Sequence, residues 1–137
     1  MTIIKHLPLI QIIIPLISAL FTAISYNKNY AWLISFFSSL LGLFISIYFY
    51  PEIIKGLSYY FGGWKNGIEY KLDMLNQNFI VYSNFILCFI LLTSKKILDH
   101  NIVGFINKKQ QHLFYTILLF IHFGYLGILS TNDVFNL

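Results

Sequence analysis

The sequence predicts an all-α membrane protein of about four transmembrane helices, with a small β-hairpin between the second and third. Three observations carry that prediction. Nine lysines and five carboxylates are the only formally charged residues among 137, a 10% share against the roughly 25% of ordinary soluble domains. Their placement leaves four uncharged stretches of 21 to 23 residues, Leu7–Asn27, Asn29–Pro51, Met74–Ser94 and Gln110–Asn132. Hydrophobic residues make up 58% of the chain, and its mean hydropathy is +0.72. A hydrocarbon core of about 30 Å takes roughly 20 helical residues at about 1.5 Å each, so each stretch is sized for one crossing. A chain of 137 residues has too little polar material to hide four such helices from water as a soluble core.

The elements follow in order, with helices expected near 7–27, 30–50, 74–94 and 112–130. The first begins after Lys5 and superficially resembles a signal peptide. Its apolar run exceeds the usual 7–15 residues, and Tyr26, Asn27 and Lys28 stand where a small-x-small cleavage site is needed, so it is expected to remain attached. Ser18, Ala19, Thr22 and Ala23 supply small residues for close packing on this helix. The second helix repeats the device with Ser35, Ser39, Gly42 and Ser46, spaced four, three and four residues apart on one face. Between helices two and three, Asn66-Gly67 supplies the residues of a type I′ turn. Tyr60, Phe61, Trp64, Ile68 and Tyr70 around it are strand-compatible. Tyr59, Tyr60, Phe61 and Trp64 also fit an interfacial aromatic belt, with Gly62-Gly63 providing a bend.

Net charge is +4, and every basic residue is a lysine lying between apolar spans, which marks topology rather than a nucleic-acid partner. Lys95, Lys96, Lys108 and Lys109 face only Asp99 in the 95–109 loop, whereas Lys55, Lys65 and Lys71 are matched by Glu52, Glu69 and Asp73. The expectation is a multi-pass protein of the cell (inner) membrane with the 95–109 loop and Lys28 cytoplasmic, and the 52–73 loop and both ends outside.

Chemistry-bearing residues are few. His122 lies midway along the fourth stretch and is the candidate for a proton path, since intramembrane ionisable groups commonly mark such routes. A neutral histidine bonded to a neighbouring helix gives the same sequence. His112 lies ten residues earlier, roughly 15 Å along the axis, so the two do not chelate one metal. His6 and His100 sit at or beyond span ends. Cys88, the lone cysteine, reads as a small buried hydrophobe. No nucleophile constellation, phosphate-cradling loop, zinc spacing or haem pair can be assembled, so no catalytic residue, metal site or cofactor is expected.

Leu118–Leu137, LLFIHFGYLGILSTNDVFNL, resembles the fourth-helix region of antiporter-like membrane subunits, above all the D-type subunits of the multisubunit Na+/H+ (Mrp) antiporters, whose pattern there is T-G-D-x-F-N-L. Asp133, Phe135 and Asn136 carry that match. Upstream, Phe61-Gly62-Gly63-Trp64, Gly67-Ile68-Glu69 and Leu72-Asp73 resemble the family's G-G-W, G-I and D before its third helix, and His6-Leu7-Pro8 with Pro15-Leu16 resembles its opening. The resemblance covers essentially the whole chain, and membrane subunits of respiratory complex I (NADH:quinone oxidoreductase) share it. Asn132 replaces the usual Gly, and Lys65-Asn66 lacks the expected Pro. Family members carry many more helices, and their proton path depends on a Glu in the fifth helix and lysines in later ones, positions beyond Leu137.

The resemblance implies an N-terminal segment of a cation/proton antiporter subunit, contributing packing and framework and not expected to transport alone. Its implied partners are the lipid bilayer, other antiporter or complex I-like subunits, or a separately encoded C-terminal remainder. The alternatives are a small four-helix membrane scaffold or a nonfunctional remnant.

Overall fold

The computed structural model describes residues 6–53, 57–60, 69–99 and 110–131. In chain order these form α1 (Leu7–Ile24), α2 (Lys28–Tyr48), a single turn α3 (Tyr50–Ile53), β1 (Leu57–Tyr60), β2 (Glu69–Leu72), α4 (Met74–Asp99) and α5 (Gln111–Ser130).

Among the described residues three helices are long and apolar enough to cross a membrane, Lys28–Tyr48, Met74–Leu98 and Gln111–Ser130. The expectation of a first helix near 7–27 is corrected at α1, which has 18 residues and ends at Ile24 instead of Asn27. Its rise of about 27 Å falls just short of a hydrocarbon core of about 30 Å. The cause is Asn27. Its extended backbone and its side-chain Oδ1, which accepts from Asn29 N at 2.9 Å, make it the N-cap of α2. Inside α1, Pro15 has no N–H to offer the carbonyl of Gln11 one turn earlier, an interruption that membrane helices tolerate where neighbouring groups compensate. At the other extreme, α4 runs past Ser94 to Asp99, which places Lys95 and Lys96 on its final turns, where a cation complements the helix dipole.

The hairpin expectation also changes. β1 and β2 pair antiparallel, with Leu57 opposite Leu72 and Tyr60 opposite Glu69. A two-residue turn at Asn66-Gly67 would instead bring Glu69 opposite Trp64, so the observed register is offset by four residues from the turn signal. Asn66-Gly67 itself, with Phe61, Gly62, Gly63, Trp64 and Ile68, lies outside the described residues. Leu72 is fully buried beside Ile53, Ile80 and Leu126, which anchors β2 to the bundle end in this register.

The helices form a bundle in which α1 packs chiefly on α5 and α2, and α2 on α4, while α4 and α5 meet less closely. Ala19, Ala31, Leu87, Leu91, Tyr115 and Leu119 build one apolar cluster, and Ile12, Ile53, Leu72, Ile80 and Leu126 build another toward the strands. Trp32 ties α2 to α4 by donating Nε1–H to Leu91 O at 2.8 Å, with Lys95 Nζ 4.1 Å above its ring.

The radial distribution inverts that of a soluble bundle. Gln11, Gln77, Asn84, Thr22, Thr116 and Ser46 are buried, while Phe44 is 65% exposed and Ile121 64%. Polar groups inside and large hydrophobes outside are what a hydrocarbon solvent selects.

Ala31 is fully buried between helices, so Ala31→Leu should overpack the interface and destabilise the bundle by about 1–3 kcal/mol. Ile121→Leu on the outer face should change stability by less than about 0.5 kcal/mol. Reversible unfolding in detergent micelles checks both.

Candidate functional site

Helix spacing brings polar residues from three helices together at one serine, and a fourth helix joins through one of them. Ser46 lies on the small-residue face of α2, with Ser35, Ser38, Ser39 and Gly42 also buried. Its hydroxyl donates to Gly42 O at 2.7 Å, one turn back. With its hydrogen used, Ser46 Oγ accepts from Gln11 Nε2 of α1 at 3.4 Å and from Asn84 Nδ2 of α4 at 3.3 Å. The Ser46 carbonyl accepts from Gln77 Nε2, also of α4, at 2.8 Å.

Asn84 passes the arrangement on to α5. Its amide nitrogen also donates to Ile80 O at 3.0 Å, which fixes the amide so that Oδ1 faces His122 Nε2 at 3.1 Å. An amide oxygen offers only lone pairs, so Nε2 carries the hydrogen of this bond. In the neutral ring Nδ1 then accepts the Ser83 hydroxyl, 3.2 Å away. His122 is thereby held at both nitrogens by α4. Above Asn84, Ser39 Oγ donates to the Asn84 carbonyl at 3.3 Å and lies 2.9 Å from Cys88 Sγ, so the buried cysteine packs against a hydroxyl.

Close approach makes this possible. A Cβ on Gly42 would lie 2.6 Å from Asn84 Oδ1 and 3.3 Å from its Cγ, so only glycine leaves room for the amide to reach His122. The small-residue stripe predicted for packing is therefore also the seat of the polar cluster.

A second, smaller polar layer lies toward the other end. Thr116 Oγ1 of α5 donates to Thr22 Oγ1 of α1 at 3.0 Å, and Thr22 donates to Ala19 O at 2.8 Å. His112 is buried beneath Tyr26, with ring centroids 5.6 Å apart. Ala19, Tyr115 and Leu119, near these threonines along α1 and α5, pack in one buried cluster. Between α4 and α5 the looser contact leaves an open groove of about 490 Å³, walled by Phe79, Tyr82, Leu87, Ile121 and Tyr125, with Ser83 and His122 at its polar edge.

Asp73, one of the residues that carry the family resemblance, begins α4. Its Oδ1 accepts from Asn76 N and its carbonyl from Gln77 N, both at 2.9 Å, which is helix capping. Gly62, Gly63, Trp64, Gly67, Asp133, Phe135 and Asn136 lie outside the described residues. Among the described residues no three His, Cys, Asp or Glu side chains are grouped to hold a metal ion. Gln11, Gln77 and Asn84, which do most of the bonding, carry no charge and leave no mark on the charge map; their signal is a polar amide inside an apolar stretch. No protein-family model matches the chain, and no curated protein is significantly similar to it.

Gly42→Ala should force Asn84 away from His122 and destabilise the bundle by about 1–3 kcal/mol. Gly124→Ala and Gly127→Ala, where a Cβ meets nothing within 4 Å, should be neutral or stabilising by up to about 1 kcal/mol. Parallel melting curves of the three variants decide the point.

Proposed function

We propose that this chain is a membrane-embedded helical segment of a cation/proton antiporter subunit, similar to the D-type subunits of the multisubunit Na+/H+ antiporters. In this reading it contributes packing and part of the framework for transport within a larger complex and does not transport alone. The family assignment is supported by the ordered motifs Gly62-Gly63-Trp64, Leu72-Asp73 and Asp133-Val134-Phe135-Asn136-Leu137. The framework role is supported by one observation: the hydrogen bonds around Ser46, Asn84 and His122 tie α1, α2, α4 and α5 together and involve no lysine or carboxylate. A relay across about 30 Å needs ionisable groups or waters in succession. His122, bonded at both nitrogens to α4, acts here as a lock between helices.

All four long helices cross the bilayer in this proposal, α1 with its shorter length accommodated by local thinning or flanking residues. Lys28, Lys95 and Lys96 then lie at the cytoplasmic face with the 95–109 loop, and the strands lie outside. A self-contained scaffold is the second reading. It is favoured by the number of polar groups in the cluster that find partners within the chain itself.

Affinity purification from native membranes tests the proposal. Co-migration with antiporter or complex I-like subunits is the expected result, and recovery alone or with unrelated proteins favours the scaffold. In the assembled complex, His122→Leu should lower the amount of complex and leave the proton flux per assembled complex unchanged. A lost flux at full assembly would return His122 to the proton path.

A further inference from the structure

The hydrogen bonds around Ser46 leave two acceptors over. The Ser46 hydroxyl is saturated, donating once to Gly42 O and accepting from Gln11 and Asn84. Both hydrogens of the Asn84 amide are used, on Ser46 Oγ and Ile80 O. Those bonds fix the orientation of the glutamine amides. Gln77 must present its nitrogen to the Ser46 carbonyl, and Gln11 must present its nitrogen to a hydroxyl whose own hydrogen is already committed. Rotating either amide by half a turn would set oxygen against oxygen. Gln11 Oε1 and Gln77 Oε1 are left as acceptors without a donor, on side chains 2% and 0% exposed.

Both amides grip the same residue, Gln11 at its hydroxyl and Gln77 at its carbonyl, so both orphaned oxygens sit on side chains anchored at Ser46. Inside hydrocarbon such carbonyls are costly, and no carboxylate belongs to the cluster to favour a cation over a neutral donor. We propose that Gln11 and Gln77 form a buried water site, in which one water donates a hydrogen to each Oε1. A water has the two donor hydrogens that the two acceptors require, and two polar partners are enough to retain it.

The site bridges α1 and α4, which meet little elsewhere in the bundle. It extends the cluster from His122 through Asn84 and Ser46 to the end of the bundle that carries the strands. A scaffold would hold this water as well as an antiporter segment would, so the site stands independently of the family reading.

Water-edited solid-state NMR of the chain in bilayers tests it, with water protons as the probe. Polarisation from water should reach the side-chain Cδ of Gln11 and Gln77 well before the side chains of Ile80 and Leu126, fully or almost fully buried apolar neighbours. Build-up at both glutamines as slow as at Ile80 would overturn the proposal without any variant. In Gln77→Leu, a shared water predicts that the early signal at Gln11 is lost too. A Gln11 signal that stays early in a folded Gln77→Leu protein would show separate waters and refute the shared site.

Discussion

Hydrocarbon offers a polar side chain nothing to bond to, and that constraint organises this molecule. Each amide, hydroxyl and imidazole buried among the helices must find its partner within the protein or in a trapped water, or the helices do not settle into one arrangement. Ser46 is where the constraint is met most densely. Its two oxygens collect hydrogen bonds from α1 and α4, and Asn84 carries the connection onward to His122 on α5. Individual bonds between membrane helices average only about 0.6 kcal/mol, so their value here lies in fixing register and rotation more than in bulk stability. Gly42 supplies the clearance without which the connection cannot be made.

The helices are legible in the sequence because charge in a membrane segment is heavily disfavoured, and the gaps between lysines and carboxylates mark spans with little ambiguity. The same logic blurs the ends. Ser25, Tyr26 and Asn27 are uncharged and fall within the first uncharged stretch, yet Asn27 turns the chain by capping α2. Lys95 and Lys96 are charged and fall outside the third, yet a helix continues through them once it emerges from the hydrocarbon. The strand register is not legible from turn chemistry at Asn66-Gly67, because burial of Leu72 among Ile53, Ile80 and Leu126 is a tertiary effect. Of the candidate site, His122 and the stripe of small residues are visible in the sequence. Gln11, Gln77 and Asn84 are not, since hydropathy along the chain does not reveal which amides share a neighbour.

Asp73 shows how motif and mechanism separate. It belongs to a pattern that resembles the antiporter-like subunits, and in the structure it caps α4, starting the helix that carries Gln77, Ser83 and Asn84. A residue at such a position serves the polar cluster by setting where the helix begins.

The tie between Asn84 and His122 bears the heaviest demand, because it joins α4 to α5 where their contact is loose. Nitrogen-15 NMR of histidine-labelled protein in bilayers reads it directly. The expected result is a His122 Nε2 that bears a hydrogen shared with the Asn84 side-chain oxygen and protected from exchange with solvent. An Nε2 without hydrogen, or one exchanging freely with water, would contradict it.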